Sequence, residues 1–116
     1  VDTWEEGGWA RLTICTTMPT LVPAPRRLAV VDAINRINHV QQLGHLELDM
    51  ADGEVRARTV LEGDSPITAA MIERVIRQNP ELVDQYQAPL LAIAYGNASP
   101  QDVLGLAGCT DPSCLQ

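Results

Sequence analysis

The stretch "HLELDMADGEVRARTVLEG", residues 45–63, limits the fold more than any other. Two alternating runs flank Asp52-Gly53, the strongest short hairpin signal in the chain. Leu46, Leu48 and Met50 alternate with Glu47 and Asp49 before the turn. Val55, Ala57, Thr59 and Leu61 alternate with Arg56, Arg58 and Val60 after it. A period of two on both sides predicts antiparallel strands with one apolar and one wet face. On the wet face, Arg56 and Arg58 are placed to pair across the ladder with Glu47 and Asp49, each pair worth roughly 0.2–1 kcal/mol.

The segments around this hairpin supply a second sheet portion and the helices. In "WARLTICTTM", Leu12, Ile14 and Thr16 face one way, and Arg11, Thr13 and Cys15 the other. Glu5-Glu6-Gly7-Gly8 reads as a turn that joins this strand to Val1–Trp4. Three prolines in "PTLVPAPRR" are expected to break the ladder, and Pro25 suits the first turn of a helix. That helix is expected to run to about Gln42, with Gly44 as its C-terminal cap. In "DSPITAAMIERVIRQNP", Ser65 is the expected cap and Pro66 the first helical residue. Ile67, Met71 and Val75 form an apolar stripe, widened by Ile72 and Ile76, and Glu73 pairs with Arg77. Asn79-Pro80 is expected to stop this helix and start another, which carries Leu82, Val83, Tyr86, Leu90, Ile93 and Ala94. Pro89 should kink or split that one near Ala88, and Gly96 should end it. A short helix follows Ser99-Pro100 and runs to about Leu106. The order strand, strand, helix, strand, strand, then helices predicts an α+β fold. Its antiparallel sheet should have four to five strands packed against helices. Residues 1–108 read as one domain and residues 109–116 as a flexible tail.

Composition narrows the function classes. The net charge is −7, and all eight basic residues are Arg. Such a surface repels phosphate backbones and anionic lipid, so neither nucleic acid nor a membrane surface is the expected partner. Arg26-Arg27, the only basic doublet, does not overturn this. No apolar run approaches the ~20 residues that span a bilayer. Cys15, Cys109 and Cys114 do not form a disulfide framework, so a reducing cytoplasm is the expected setting.

No catalytic constellation stands out, and no cofactor is expected. There is no GxSxG, and without any Lys there is no phosphate loop of the Walker kind. His39 and His45 are six apart, with Asp49 and Asp52 nearby. They would be the residues of a small-molecule or metal sensor, although no metal-ligand spacing is present. Cys109 and Cys114 could close a small loop or form a thiol switch, but they lie in the tail. Asn97-Ala98-Ser99 matches a glycosylation sequon and also serves as a helix start.

Asn35 and Asn38 interrupt the helix "AVVDAINRINHVQQLG" beside its apolar stripe of Val30, Ile34 and Ile37. Amides cost helix stability and need partners when buried. Both are read as a structural latch, their amides satisfying backbone groups between this helix and the strand at His45.

These residues also carry a resemblance. The pair Ile34-Asn35 and Ile37-Asn38, a following Gly, a short acidic strand, the Asp-Gly turn and a charged return strand resemble the YbjN-like family. Its members are bacterial proteins labelled "putative sensory transduction regulators". The likeness extends over most of residues 4–96. It implies a fold like that of type III secretion chaperones, which are commonly homodimers that bind extended segments of partner proteins. The opening helix of that fold is not visible before the first strand here. The resemblance brings no catalytic residues. The expectation is therefore a non-enzymatic, homodimeric protein-binding module, a regulator or chaperone-like adaptor; the alternatives are the sensor above or a secretion-type chaperone proper. It should show an exposed apolar patch or a sheet edge that accepts a peptide.

Overall fold

A computed structural model of the chain describes residues 1–64 and 66–108. The expected cap Ser65, the cysteines Cys109 and Cys114 and the tail lie outside them. The chain opens with a hairpin, β1 (Asp2–Glu6) and β2 (Trp9–Leu21). A 3₁₀ turn at Ala24–Arg26 leads into α1 (Arg27–Val40). A second hairpin follows, β3 (His45–Leu48) and β4 (Glu54–Asp64), then the long helix α2 (Ala69–Tyr95). A 3₁₀ turn at Pro100–Asp102 and the short α3 (Val103–Leu106) close the described chain. The four strands form one antiparallel sheet in the order β1-β2-β4-β3, so β1 and β3 are its edges. This is the α+β architecture expected from the two hairpins.

The inner face of the sheet carries the alternating residues read from the sequence. Leu12, Ile14, Leu46, Val55, Ala57 and Thr59 are buried there, and α1 adds Val30, Ala33, Ile34 and Ile37. Apart from Ala10, the buried apolar residues fall into two clusters. The larger one joins α1, β3, β4 and the C-terminal part of α2. The smaller one is Leu12, Ile14 and Val75, with Leu43, Leu61, Ile67 and Ile72 packed around it.

Several local expectations are corrected. Strand β2 runs through Pro19 to Leu21, because its register with β4 shifts between Thr17 and Leu21 and the proline sits at that irregularity. Helix α1 ends at Val40, not Gln42, and Gly44 is not its cap. Gly44 has φ +76° and lies against β4, where a Cβ would come 2.6 Å from Thr59 Oγ1. Helix α2 starts at Ala69, with the Thr68 side chain accepting from the Met71 amide, instead of starting at Pro66. Asp49 does not join the arginines. Its Oδ1 accepts from the Ala51 amide inside the turn.

The largest correction concerns α2, which is one helix through both Pro80 and Pro89. Each proline removes one backbone bond and costs roughly 3 kcal/mol in a helix interior. The stripe of Leu82, Val83, Tyr86, Leu90 and Ile93 is buried. At roughly 1.5–3 kcal/mol for each such side chain, its burial outweighs two prolines. Keeping α2 in phase also rotates its first turns. Val75 points inward, whereas Met71 and Ile76 are exposed and do not join the expected stripe.

The Arg26-Arg27 doublet is structural. Arg26 Nε donates to the Ile93 carbonyl at 2.9 Å, and Arg27 donates to the carbonyls of Val22 and Met50 at 3.0 and 3.1 Å. These bonds tie the start of α1 to the end of α2 and to the turn of the second hairpin.

Candidate partner-binding surfaces

Helix α1 lies along the free side of β3. The Asn38 side chain reaches from its last turn to the edge of the sheet. Its Nδ2 donates to the Leu46 carbonyl at 3.0 Å, and its Oδ1 accepts from the Leu46 amide at 2.9 Å. The amide thus engages both backbone groups that Leu46 turns away from β4, as a neighbouring strand would. Asn35 is one turn earlier and exposed, and no hydrogen bond of its side chain is found among the described residues. Removing the Asn38 amide leaves a backbone donor and acceptor without their partner. Asn38→Ala is expected to cost roughly 1–3 kcal/mol, read as an earlier denaturant midpoint.

Beside this contact is an open hollow of about 460 Å³ between α1 and the second hairpin. Leu28 is 75% exposed at its rim, Met50 is 48% exposed, and Val31 lies between them on α1. No motif points to it directly. Alternation puts Met50 on the apolar face of β3, but that strand ends at Leu48, and Met50 is exposed in the turn.

The other face of the sheet is polar. Glu47 accepts from Arg56 Nε and lies 3.2 Å from Arg58 Nη2 and 3.4 Å from His45 Nε2. One carboxylate therefore serves both arginines. Burial alone would raise its pKa. The Arg56 hydrogen bond, the Arg58 charge and the His45 contact outweigh burial and hold it below the ordinary value of 4.5. A carboxyl with a lowered folded pKa stabilises the fold above its unfolded pKa, and that stability is lost as pH falls through the folded value. Below about pH 4.5 the wild type should therefore lose more stability on acidification than Glu47→Gln, measured as melting temperature against pH. Melting curves that fall in parallel would contradict this account.

His39 is exposed on α1, and His45 faces Glu47. Among the described residues no group of three His, Cys, Asp or Glu side chains is placed to hold a metal ion.

A polar cluster that the sequence did not reveal lies beneath the sheet. Asn79, fully buried on α2, donates from Nδ2 to Thr16 Oγ1 at 2.7 Å and to the Ala57 carbonyl at 3.1 Å. Thr59 Oγ1 lies 2.8 Å from Asn79 Oδ1 and 3.2 Å from Gln78 Oε1, and Gln78 Nε2 donates to the Leu43 carbonyl at 2.7 Å. The Asn79 amide is satisfied by its partners and is closed to solvent, so its work is to fix α2 on β2 and β4.

A family model named YbjN, described as "Putative bacterial sensory transduction regulator", matches residues 3–92, from β1 into α2. No curated protein and no solved structure matches the chain. The chaperone-like comparison thus remains an implication of the sequence resemblance. None of the helices among the described residues is long and apolar enough to cross a membrane.

Proposed function

This chain belongs to the YbjN family, and on that premise we propose that it is a non-enzymatic module that regulates signalling by binding another protein. The observation that carries the reading is the hollow between α1 and the second hairpin, with Leu28, Val31 and Met50 exposed around it. Large apolar side chains gathered at one concave place on a net acidic surface mark a protein contact. Asn38 is read as the latch that holds the two walls of the hollow at a fixed distance. Asn35, exposed on the same helix, is read as a polar rim residue of that contact and not as a second latch.

The test compares the wild type with the double variant Leu28→Asp, Met50→Asp as bait in a bacterial lysate. Both positions are exposed, so the melting temperature should barely change. The wild type is expected to retain a defined protein and the variant to lose it. Equal retention by both, or no enriched protein with either, overturns the reading.

A further inference from the structure

The two edges of the sheet are treated differently. On β3, the outward groups of Leu46 are held by Asn38. On β1, the only strand neighbour among the described residues is β2. Gly7 and Gly8 both have positive φ, 58° and 80°, the geometry of a two-residue type I′ turn. Such a turn is closed by a hydrogen-bonded pair, here Glu6 with Trp9. Antiparallel alternation then makes Trp4–Arg11 and Asp2–Thr13 bonded pairs as well. The N–H and C=O groups of Thr3 and Glu5 therefore point away from β2, along an edge that no strand among the described residues covers.

What surrounds that edge has a definite chemistry. On the inner face, Thr3, Ala10, Pro66, Ile67 and Ile72 border an open hollow of about 280 Å³, with Glu5 at its rim. A strand added beside β1 would turn every second side chain toward it. On the outer face, Trp4 lies between Asp2 and Glu6 in the strand, with Glu62 and Asp64 two strands away. Arg11, the one basic side chain there among the described residues, is paired with Glu62 and lies over the Trp4 ring at 5.4 Å. That face is acidic, with an aromatic surface in its middle.

We propose that the β1 edge binds an extended peptide segment of a partner protein, basic on one face and apolar on the other, as a fifth strand of the sheet. Main-chain bonds to Thr3 and Glu5 would hold it, and the inner hollow would take its apolar side chains. Its Arg or Lys side chains would meet Asp2 and Glu6 and the face of Trp4. A second copy of this chain fits poorly. Antiparallel pairing of two β1 strands would set Asp2, Glu5 and Glu6 against the same carboxylates, and like charges opposite each other destabilise a ladder. The inference rests on the binding-module reading and names the segment such a module would take.

The chain's two tryptophans, Trp4 and Trp9, both belong to this hairpin, so intrinsic fluorescence reports on it. The probe is a seven-residue peptide that alternates Arg and Val. Its control has the same composition, with the arginines in one block and the valines in another. Thr3→Pro removes an outward N–H that β2 does not use, so the hairpin should fold as before, which circular dichroism checks. The alternating peptide is expected to change the fluorescence saturably. Both the blocked control and Thr3→Pro should weaken binding at least tenfold. Equal binding of the two peptides, or unchanged affinity in Thr3→Pro, would mean charge attraction only and overturns the proposal. So does light scattering that shows a wild-type dimer made monomeric by Thr3→Pro, since a second copy then holds the edge. If the edge fails while Leu28→Asp, Met50→Asp still loses its partner, the module reading stands without it.

Discussion

Asn79→Ala is expected to destabilise the protein by roughly 2–4 kcal/mol, lowering the melting temperature by about 10–20 °C. The residue is fully buried, and its amide engages Thr16, Ala57 and Thr59 from three strand positions at once. Truncation leaves the Thr16 hydroxyl without its donor and opens a void that water cannot easily reach. Asn79→Asp discriminates between lost packing and lost hydrogen bonding. The carboxylate keeps the shape, but it is a buried charge with the Ala57 carbonyl facing one of its oxygens. At neutral pH it should cost roughly 3–5 kcal/mol, more than the alanine. Burial raises the folded pKa of such a group. Its loss is therefore smallest below the unfolded pKa of about 3.9 and grows as pH rises through the folded value. Denaturant melts of both variants at pH 7 and pH 4.5 would check this. If the aspartate variant gains nothing relative to the alanine variant on acidification, the amide is a space-filler.

Gly53→Ala is expected to be worse, above about 4 kcal/mol, the range reached when a side chain meets backbone that cannot move. Gly53 has φ +84°, and a Cβ there would lie 2.1 Å from the Val22 carbonyl oxygen and 2.9 Å from its nitrogen. The same two backbones are joined by a bond from the Val22 amide to the Gly53 carbonyl at 2.8 Å, and Arg27 holds the Val22 carbonyl. The clash is therefore with a fixed neighbour. Gly7→Asn is the control, since Gly7 also has positive φ but nothing within 4 Å of its Cβ position. Asparagine tolerates that conformation, and the expected change is a few tenths of a kcal/mol. Similar losses in both variants, measured by thermal melts, would mean that backbone conformation alone sets the cost.

Both hairpins were legible because their turns and their alternation agree. Gly7-Gly8 and Asp52-Gly53 stand between runs whose apolar residues have the right parity, but the turns differ in extent from the reading: Glu5 and Glu6 pair within β1, and the second loop is Asp49–Gly53, which sets Glu47 and not Asp49 opposite Arg56. The interior of α2 was not legible by the same means. Asn79-Pro80 is a local stop signal, and it was overridden by contacts that only the folded sheet supplies. A signal across the stop was present. Val75, Asn79, Leu82, Tyr86, Leu90 and Ile93 keep a spacing of three or four through both prolines, with an amide at one step of an otherwise apolar series. That phase told more than the proline did. For the surfaces, Asn38 could be singled out as an amide beside an apolar stripe. The exposed positions of Leu28 and Met50 could not, because they depend on where β3 ends.

The position of the Asn79 cluster bears on how the molecule moves. Along β2 it occupies Thr16, between Ile14 and Met18. Along β4 it occupies Thr59, between Leu61 and Ala57, and along α2 it falls between Val75 and Leu82. The amide thus lies between the larger and the smaller apolar cluster. Among the described residues, the cluster next to the first hairpin has three buried side chains, Leu12, Ile14 and Val75, and the rest of it is partly exposed. In hydrogen exchange, its amides should open and reclose many times for each global unfolding event. The end of the sheet with the β1 edge is thus the end that costs least to rearrange, so an arriving strand would meet a pliable receiver on a rigid base.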